Sequence, residues 1–216
     1  MDIKRQKEEY VKYCHFIQEK NLVFGSGGNV SVRVGDIVLI TPSGRSLESL
    51  TTEDVIELSF DGSYQGKGRP SSEFQMHLGC YQARPEITAV VHTHSLYATA
   101  VSCLRDLNPE KAMPIFTPGY GKRVGALPVI PYLTPGSKEL ADRVSRIIAV
   151  RNSVLLKNHG LVAVGKDWES ALNLAEELEE NAQIMLLLSG RGEELTPEQL
   201  AGLASYHAAP EVGREV

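Results

Sequence analysis

Residues 88–95 read TAVVHTHS, an apolar β-branched run that ends in two imidazoles, His92 and His94. Side chains in a strand alternate between its faces, so residues two apart point the same way, with Cβ atoms within reach of one ion. That is a chelating geometry, although a buried, hydrogen-bonded pair at a strand end accounts for the same two residues. A third ligand has to be found. In LLKNHGLVAVG, residues 155–165, His159 follows a short apolar strand and precedes a glycine, a place where a side chain emerges at the end of a sheet. Three neutral imidazoles at about 2.0–2.1 Å with one open position describe many zinc sites that perform chemistry. For His159 taken alone, stabilising a turn is the alternative.

Glu73 is the carboxylate to place beside them, because PSSEFQMH starts a helix after Pro70 and sets this acid in its first turn. Capping explains the same residue: Ser72 and Gln75 have capping-box spacing, and the helix dipole favours an acid there. Free backbone N–H groups at that helix start, joined by serine hydroxyls, also suit an anion. The glycine turns GSGGN (25–29) and TPSG (41–44) add donors. GxxxxGK[ST] is absent and GSGGN does not match GxGxxG, which favours a small phosphorylated substrate over a nucleotide.

The periodicity around these residues predicts an amphipathic helix over about 3–20, then a turn and hairpin through GSGGNVSVRVGDIVLIT. A strand near 55–60, a helix from SSEF to about Ala83 and the histidine-bearing strand follow. Further helices are expected at 96–104, 137–149, 167–189 and 196–205, and strands near 127–132, 153–157 and 160–164. DGSYQGKG (61–68) reads as a surface loop. Strands mixed with covering helices mean a layered α/β/α domain. Neither a repeat nor a linker divides the chain, so one domain over 1–216 is the simplest count.

At 216 residues, 42% hydrophobic and 23% charged, the chain can bury a sizeable core. Its 22 Lys and Arg against 27 Asp and Glu give no electrostatic reason for a nucleic acid or anionic membrane partner. A bound anion therefore needs a local site. No apolar run approaches the roughly 18 residues of a membrane span, and Cys14, Cys80 and Cys103 form no CxxC pair, which fits a reducing compartment. The expected location is the cytoplasm, and any metal must rely on histidine and carboxylate.

GGNVSVR (27–33), ITPSG (40–44), KGRPSSE (67–73), AVVHTHS (89–95) and NHGLVAVG (158–165), in this order and spacing, resemble the class II aldolase and adducin head family over nearly the whole chain. The resemblance implies a mostly antiparallel sheet covered by helices. It also implies a fourfold-symmetric homotetramer with its active sites at subunit interfaces. It further implies a Zn²⁺ site formed by Glu73, His92, His94 and His159, with Glu73 able to leave the metal and serve as general base. Asn29, Ser43, Gly44, Ser71 and Ser72 fall on the family's phosphate-binding positions. Three histidines with a carboxylate can also hold Mn²⁺, Co²⁺ or Fe²⁺.

The implied reaction is cleavage of a ketose phosphate to dihydroxyacetone phosphate and a short aldehyde. A divalent metal stabilises the enediolate while a carboxylate transfers the proton. SSE rather than SSD favours the aldolases over the ribulose-phosphate 4-epimerases. Residues 113–140, with SCLRDLNP before and EELEENAQIMLLLSGR after, instead resemble the 3-oxo-tetronate 4-phosphate decarboxylases, in which a lysine is expected where this chain has Ser72. Either reaction leaves the same enediolate, so only the groups that handle the leaving group differ. The candidates are Tyr120 as proton donor, Lys122 or Arg123 as carboxylate partners, and Tyr206 or His207, each with a surface or packing role as the alternative. A non-catalytic adducin-like scaffold would have no chemical use for the four metal-ligand residues. His77 is expected to support Glu73 or to pack, His15 to lie on a solvated helix face, and Trp168 to pack its helix.

Overall fold

The structure, a computed structural model, describes the backbone of residues 2–208 and the side chains of residues 2–203. Helix α1 (Ile3–Glu19) begins where the Asp2 carboxylate accepts from the N–H groups of Lys4 and Arg5. Strands β1 (Asn29–Val34) and β2 (Ile37–Ile40) form the expected hairpin, and a 3-10 turn at Leu47–Ser49 leads to β3 (Ile56–Ser59). The chain continues through β4 (Tyr64–Gln65), α2 (Phe74–Ala83), β5 (Ala89–Thr93), α3 (Leu96–Ser102), α4 (Pro118–Arg123) and β6 (Val129–Ile130). It ends with α5 (Lys138–Ile148), β7 (Ser153–Leu156), β8 (Gly160–Gly165), α6 (Trp168–Leu188) and α7 (Pro197–Ala208).

All eight strands join one sheet in the order β4-β3-β2-β1-β5-β8-β7-β6. Every neighbouring pair is antiparallel except β6 with β7. The alternation of side chains divides the apolar residues into two clusters. Ala89, Val91, Leu161 and Ala163 pack with Cys14, Ile17, Ala98, Leu174 and Leu178 of α1, α3 and α6. Val90, Val162 and Val164 pack with Met76, Leu78, Leu140 and Val144 of α2 and α5. Full burial of each such side chain contributes about 1.5–3 kcal/mol. The central strands β5 and β8, covered on both faces, are therefore the best-anchored part of the sheet, and the histidines sit at their ends.

Three expectations change here. Residues 61–68 are not wholly loop, because Tyr64 pairs with Leu58 and Gln65 with Glu57 to make β4. The strand expected over 127–132 shrinks to Val129–Ile130, flanked by Pro128 and Pro131, which cannot donate to a ladder. Helix α4 has no counterpart in the periodicity, since its sequence PGYGKR carries two glycines. It forms because Pro118 suits the first helical turn and the Thr117 hydroxyl accepts from Tyr120 N at 3.2 Å. Trp168 packs its helix as expected, stacked on Tyr13 at 4.9 Å, and Asp167 with Ser170 closes a capping box at the start of α6.

Candidate metal centre

Three segments deliver the four candidate ligand residues to one end of the sheet. His92, in β5, pairs with Asn29 of β1 on one side and Val162 of β8 on the other, and shares a face with Val90 towards α2. His94 follows two residues on. Gly28, at φ 72°, lets β1 begin against this strand: a Cβ there would lie 2.7 Å from the His92 carbonyl oxygen. His159 sits in the tight turn joining β7 to β8, where Asn158 adopts φ 54°. The next residue, Gly160, comes so close to Thr93 that a Cβ would overlap its carbonyl oxygen and lie 3.0 Å from His94 Cδ2. The glycine of NHG thus presses the His159 turn against the HTH strand.

Glu73 arrives from the third segment. Pro42 and Pro70 form an isolated antiparallel bridge, with Ser43 N donating to Arg69 O at 2.9 Å and Ser71 N to Thr41 O at 3.0 Å. ITPSG and RPSSE therefore run side by side, and the second turns directly into α2. Glu73 is the N-cap residue of that helix, one position before its first turn, and its side chain makes no capping bond. The capping explanation fails because the carboxylate points into the histidine cluster instead. The capping box expected from Ser72 and Gln75 does not form; Ser71 Oγ accepts from Glu73 N at 3.2 Å.

The ligand atoms of Glu73, His92, His94 and His159 all lie within 4.8 Å of one another. Nε2 of His94 and of His92 are 3.0 Å apart, His92 Nε2 is 3.2 Å from Glu73 Oε2, and His159 Nε2 is 3.6 Å from Glu73 Oε1. A tetrahedron with ligand distances of about 2.0–2.1 Å has edges of about 3.3–3.4 Å, so a zinc-sized ion fits these spacings. Ring centroids are 4.8 Å apart in all three histidine pairs, which disposes the imidazoles around a common centre. The His92 Nδ1–H donates to Leu161 O at 2.8 Å and leaves Nε2 to face that centre. Glu73 Oε1 is buried without a hydrogen-bond partner, a donor set waiting for a cation. Glu73 and His92 are buried while His94 and His159 are partly exposed, so the open approach is on the His94 and His159 side.

The electrostatics agree. Burial opposes the charge on Glu73, but His92, hydrogen bonds from His92 and Asn29, and His159 outweigh it and hold the carboxyl well below the usual range. Burial first, then the nearby charge of His92, pushes His94 down to about 3 and His159 down to about 4, so both are neutral and ready to ligate. Burial also opposes a proton on His92, yet the Glu73 carboxylate raises its pKa above the ordinary value. A proton on His92 Nε2 would sit between Glu73 and His94, the position that suits a cation.

Among the expected anion-binding residues, Ser43, Gly44 and Ser72 are exposed on the paired segments, Ser71 is buried beside them, and Asn29 is buried behind. The Asn29 amide N–H donates to Glu73 Oε2 at 2.8 Å. Tyr120 is fully buried in the cluster beneath α6, and its hydroxyl has no hydrogen-bond partner among the described residues. Lys122 and Arg123 line a depression with Arg84, Gly165 and Lys166, at the end of β8 opposite His159, and Arg123 pairs with Glu177. This structure therefore does not bring them to the histidines. Tyr206 and His207 lie outside the residues whose side chains are described. His15 is not simply solvated, because its Nε2 bonds the Leu50 carbonyl at 2.8 Å. His77 is fully buried and bonded to Asn29, a contact between distant segments that its spacing one turn after Glu73 does not specify.

The model of the Class II Aldolase and Adducin N-terminal domain matches residues 8–186. A 3-oxo-tetronate 4-phosphate decarboxylase of Haemophilus influenzae is 42% identical over 187 residues, covering 86% of this chain and 89% of the relative. An L-fuculose phosphate aldolase of Methanococcus maripaludis is 42% identical over 181 residues, covering 84% and 96%. Among solved structures, YgbL from Escherichia coli superposes with a TM-score of 0.88 at 34% identity, covering 93% of this chain and 98% of that one. A four-residue cluster suited to a divalent cation, on a mostly antiparallel sheet and within the span of that family match, leads to one assignment: the chain belongs to the class II aldolase and adducin family.

Proposed function

We propose that this protein is a metal-dependent carbon–carbon lyase that cleaves a ketose phosphate to dihydroxyacetone phosphate and a short aldehyde. The observation that carries the reading is the convergence of Glu73, His92, His94 and His159 with one side open. A divalent cation held there, which we take to be Zn²⁺, supplies Lewis acidity to the substrate oxygens and stabilises enediolate charge. The chain's own groups do the rest. Glu73 Oε2 is held by Asn29, so that Oε1, once the carboxylate leaves the cation, can move a proton at the carbon beside the substrate carbonyl. Exposed Ser43, Gly44 and Ser72, with Ser71 and Asn29, offer N–H and O–H donors to the substrate phosphate, which holds the reacting carbon near Glu73.

The equal identity to the Haemophilus influenzae decarboxylase favours one alternative, loss of CO₂ from a phosphorylated 3-oxo acid at the same site. Both substrates are phosphorylated and leave the same enediolate, so the four ligands and the serines serve either. Tyr120 remains our candidate for proton donor to the leaving group: its hydroxyl has no hydrogen-bond partner among the described residues, and burial, which raises its pKa, keeps it protonated. The two apolar clusters support a single domain of three layers, helices on both faces of the sheet. The homotetramer with shared active sites is carried over from the family resemblance. Free Cys14, Cys80 and Cys103, and the absence among the described residues of a helix able to cross a membrane, support a cytoplasmic location. The deciding test is a panel of phosphorylated ketoses and 3-oxo acids with zinc restored, read by product: aldehyde release is expected, CO₂ release would select the alternative, and neither would refute both.

A further inference from the structure

A buried chain of hydrogen bonds runs from the α2 side of the sheet to Glu73. Tyr81 OH lies 2.8 Å from Ser31 Oγ, Ser31 Oγ 2.7 Å from His77 Nδ1, and His77 Nε2 2.6 Å from Asn29 Oδ1; Asn29 Nδ2 then donates to Glu73 Oε2 at 2.8 Å. None of the five side chains is more than 5% exposed. The acceptors fix the direction of the hydrogen bonds between Ser31 and Glu73, and the Tyr81 hydroxyl, 2.8 Å from Ser31 Oγ, has the Thr88 carbonyl at 3.5 Å as its other acceptor. Asn29 Oδ1 can only accept, so His77 carries its proton on Nε2. Its bare Nδ1 then accepts from the Ser31 hydroxyl, and Ser31 accepts from Tyr81. The amide of Asn29 is thereby prevented from turning its oxygen towards the Glu73 carboxylate.

We propose that His77, backed by Ser31 and Tyr81, is a positioning residue that locks Asn29 with its N–H towards Glu73 and so holds the carboxylate at the metal centre. Among the described residues, the only other side chain at hydrogen-bond distance from Glu73 Oε2 is His92, itself a candidate ligand, so the chain through Asn29 sets which oxygen stays free. A buried polar chain this complete earns its specificity only if every member is satisfied, and removing one donor orphans the rest. The inference rests on Glu73 being a ligand, and the experiment separates the two ideas.

Zinc affinity is measured by chelator competition for the wild type, His77→Leu, Glu73→Ala and the double variant. Loss of an outer partner of a metal ligand weakens binding about 10–100-fold, so His77→Leu, acting one bond further out through Asn29, should weaken it about tenfold, the low end of that range, in the wild type. It should change affinity less than about twofold when Glu73 is already Ala, because the effect passes through that side chain. His77→Gln, which keeps an N–H for Asn29, should stay within about threefold of wild type. An undiminished loss in the Glu73→Ala background, or no loss in the wild type, overturns the proposal. Wild-type affinity in Glu73→Ala alone would instead refute Glu73 as a ligand. If His77→Leu does not fold, Ser31→Ala replaces it in the same cycle with the same two outcomes, and no part of the test depends on which reaction is catalysed.

Discussion

Replacing Gly160 by alanine tests whether the close approach of the His159 turn to the HTH strand builds the metal centre. The added methyl would overlap the Thr93 carbonyl oxygen and stand 3.0 Å from His94 Cδ2. Ordinary carbon–oxygen contact is roughly 3.2 Å, so the turn and the strand must separate by about 1 Å, and overpacking of this kind costs about 1–3 kcal/mol. For a chain of this size each kcal/mol lowers the Tm by about 2–4 °C, giving an expected fall of about 2–12 °C for the metal-free protein. The same displacement separates His159 from His92 and His94, whereas metal–ligand distances tolerate only about 0.2 Å, so zinc affinity should fall at least about tenfold. Thermal unfolding in chelator and zinc competition read the two effects. Gly190→Ala is the control: that glycine has φ 78° with nothing within 4 Å of its Cβ position, so it should lose stability from backbone strain alone and keep its zinc affinity. A Gly160→Ala protein that binds zinc as tightly as Gly190→Ala would refute the reasoning.

Glu73→Gln should retain metal through the three imidazoles while turnover drops about 10²–10⁴-fold, since the amide cannot move the proton; turnover near wild type would remove Glu73 as the base. Zinc affinity should fall about tenfold per pH unit as the pH drops through the raised pKa of His92, because that one proton competes with the cation. His94 and His159, neutral down to about 3 and about 4, add no further steepness near neutral pH, so a slope of two or three protons there would contradict the assignment. Glu179→Ala should cost about 1–3 kcal/mol, read by denaturant unfolding, because that carboxylate accepts from Tyr97 N and Ala98 N at 2.8 Å and fixes the start of α3 behind His94.

What the sequence disclosed and what it hid divide along physical lines. The meeting of the three histidines was legible because period two in TAVVHTHS and the turn in NHG are local signals, and strand alternation puts His92 and His94 on one face. Glu73 was legible as a residue but not as a geometry. Its helix start looked like a capping box, and only tertiary attraction from His92 and Asn29 explains why the side chain leaves that role. The relay through His77 joins residues 29, 31, 77 and 81, whose meeting depends on β1 lying beneath α2, and no local pattern encodes that. Helix α4 was hidden for the opposite reason: PGYGKR has poor intrinsic propensity, and a cap together with burial of Tyr120 overrides it. Lys122 and Arg123 were candidates by composition, but the turn of α4 directs them to the far end of β8.

The central claim is that Glu73, His92, His94 and His159 hold one divalent cation. Anomalous diffraction at the zinc edge, from crystals grown with one equivalent of Zn²⁺ per chain, tests it most directly. The expected result is a single peak about 2.0–2.1 Å from the Nε2 atoms of His92, His94 and His159 with Glu73 adjacent. Zinc peaks elsewhere on the chain and none within reach of these four residues would contradict it.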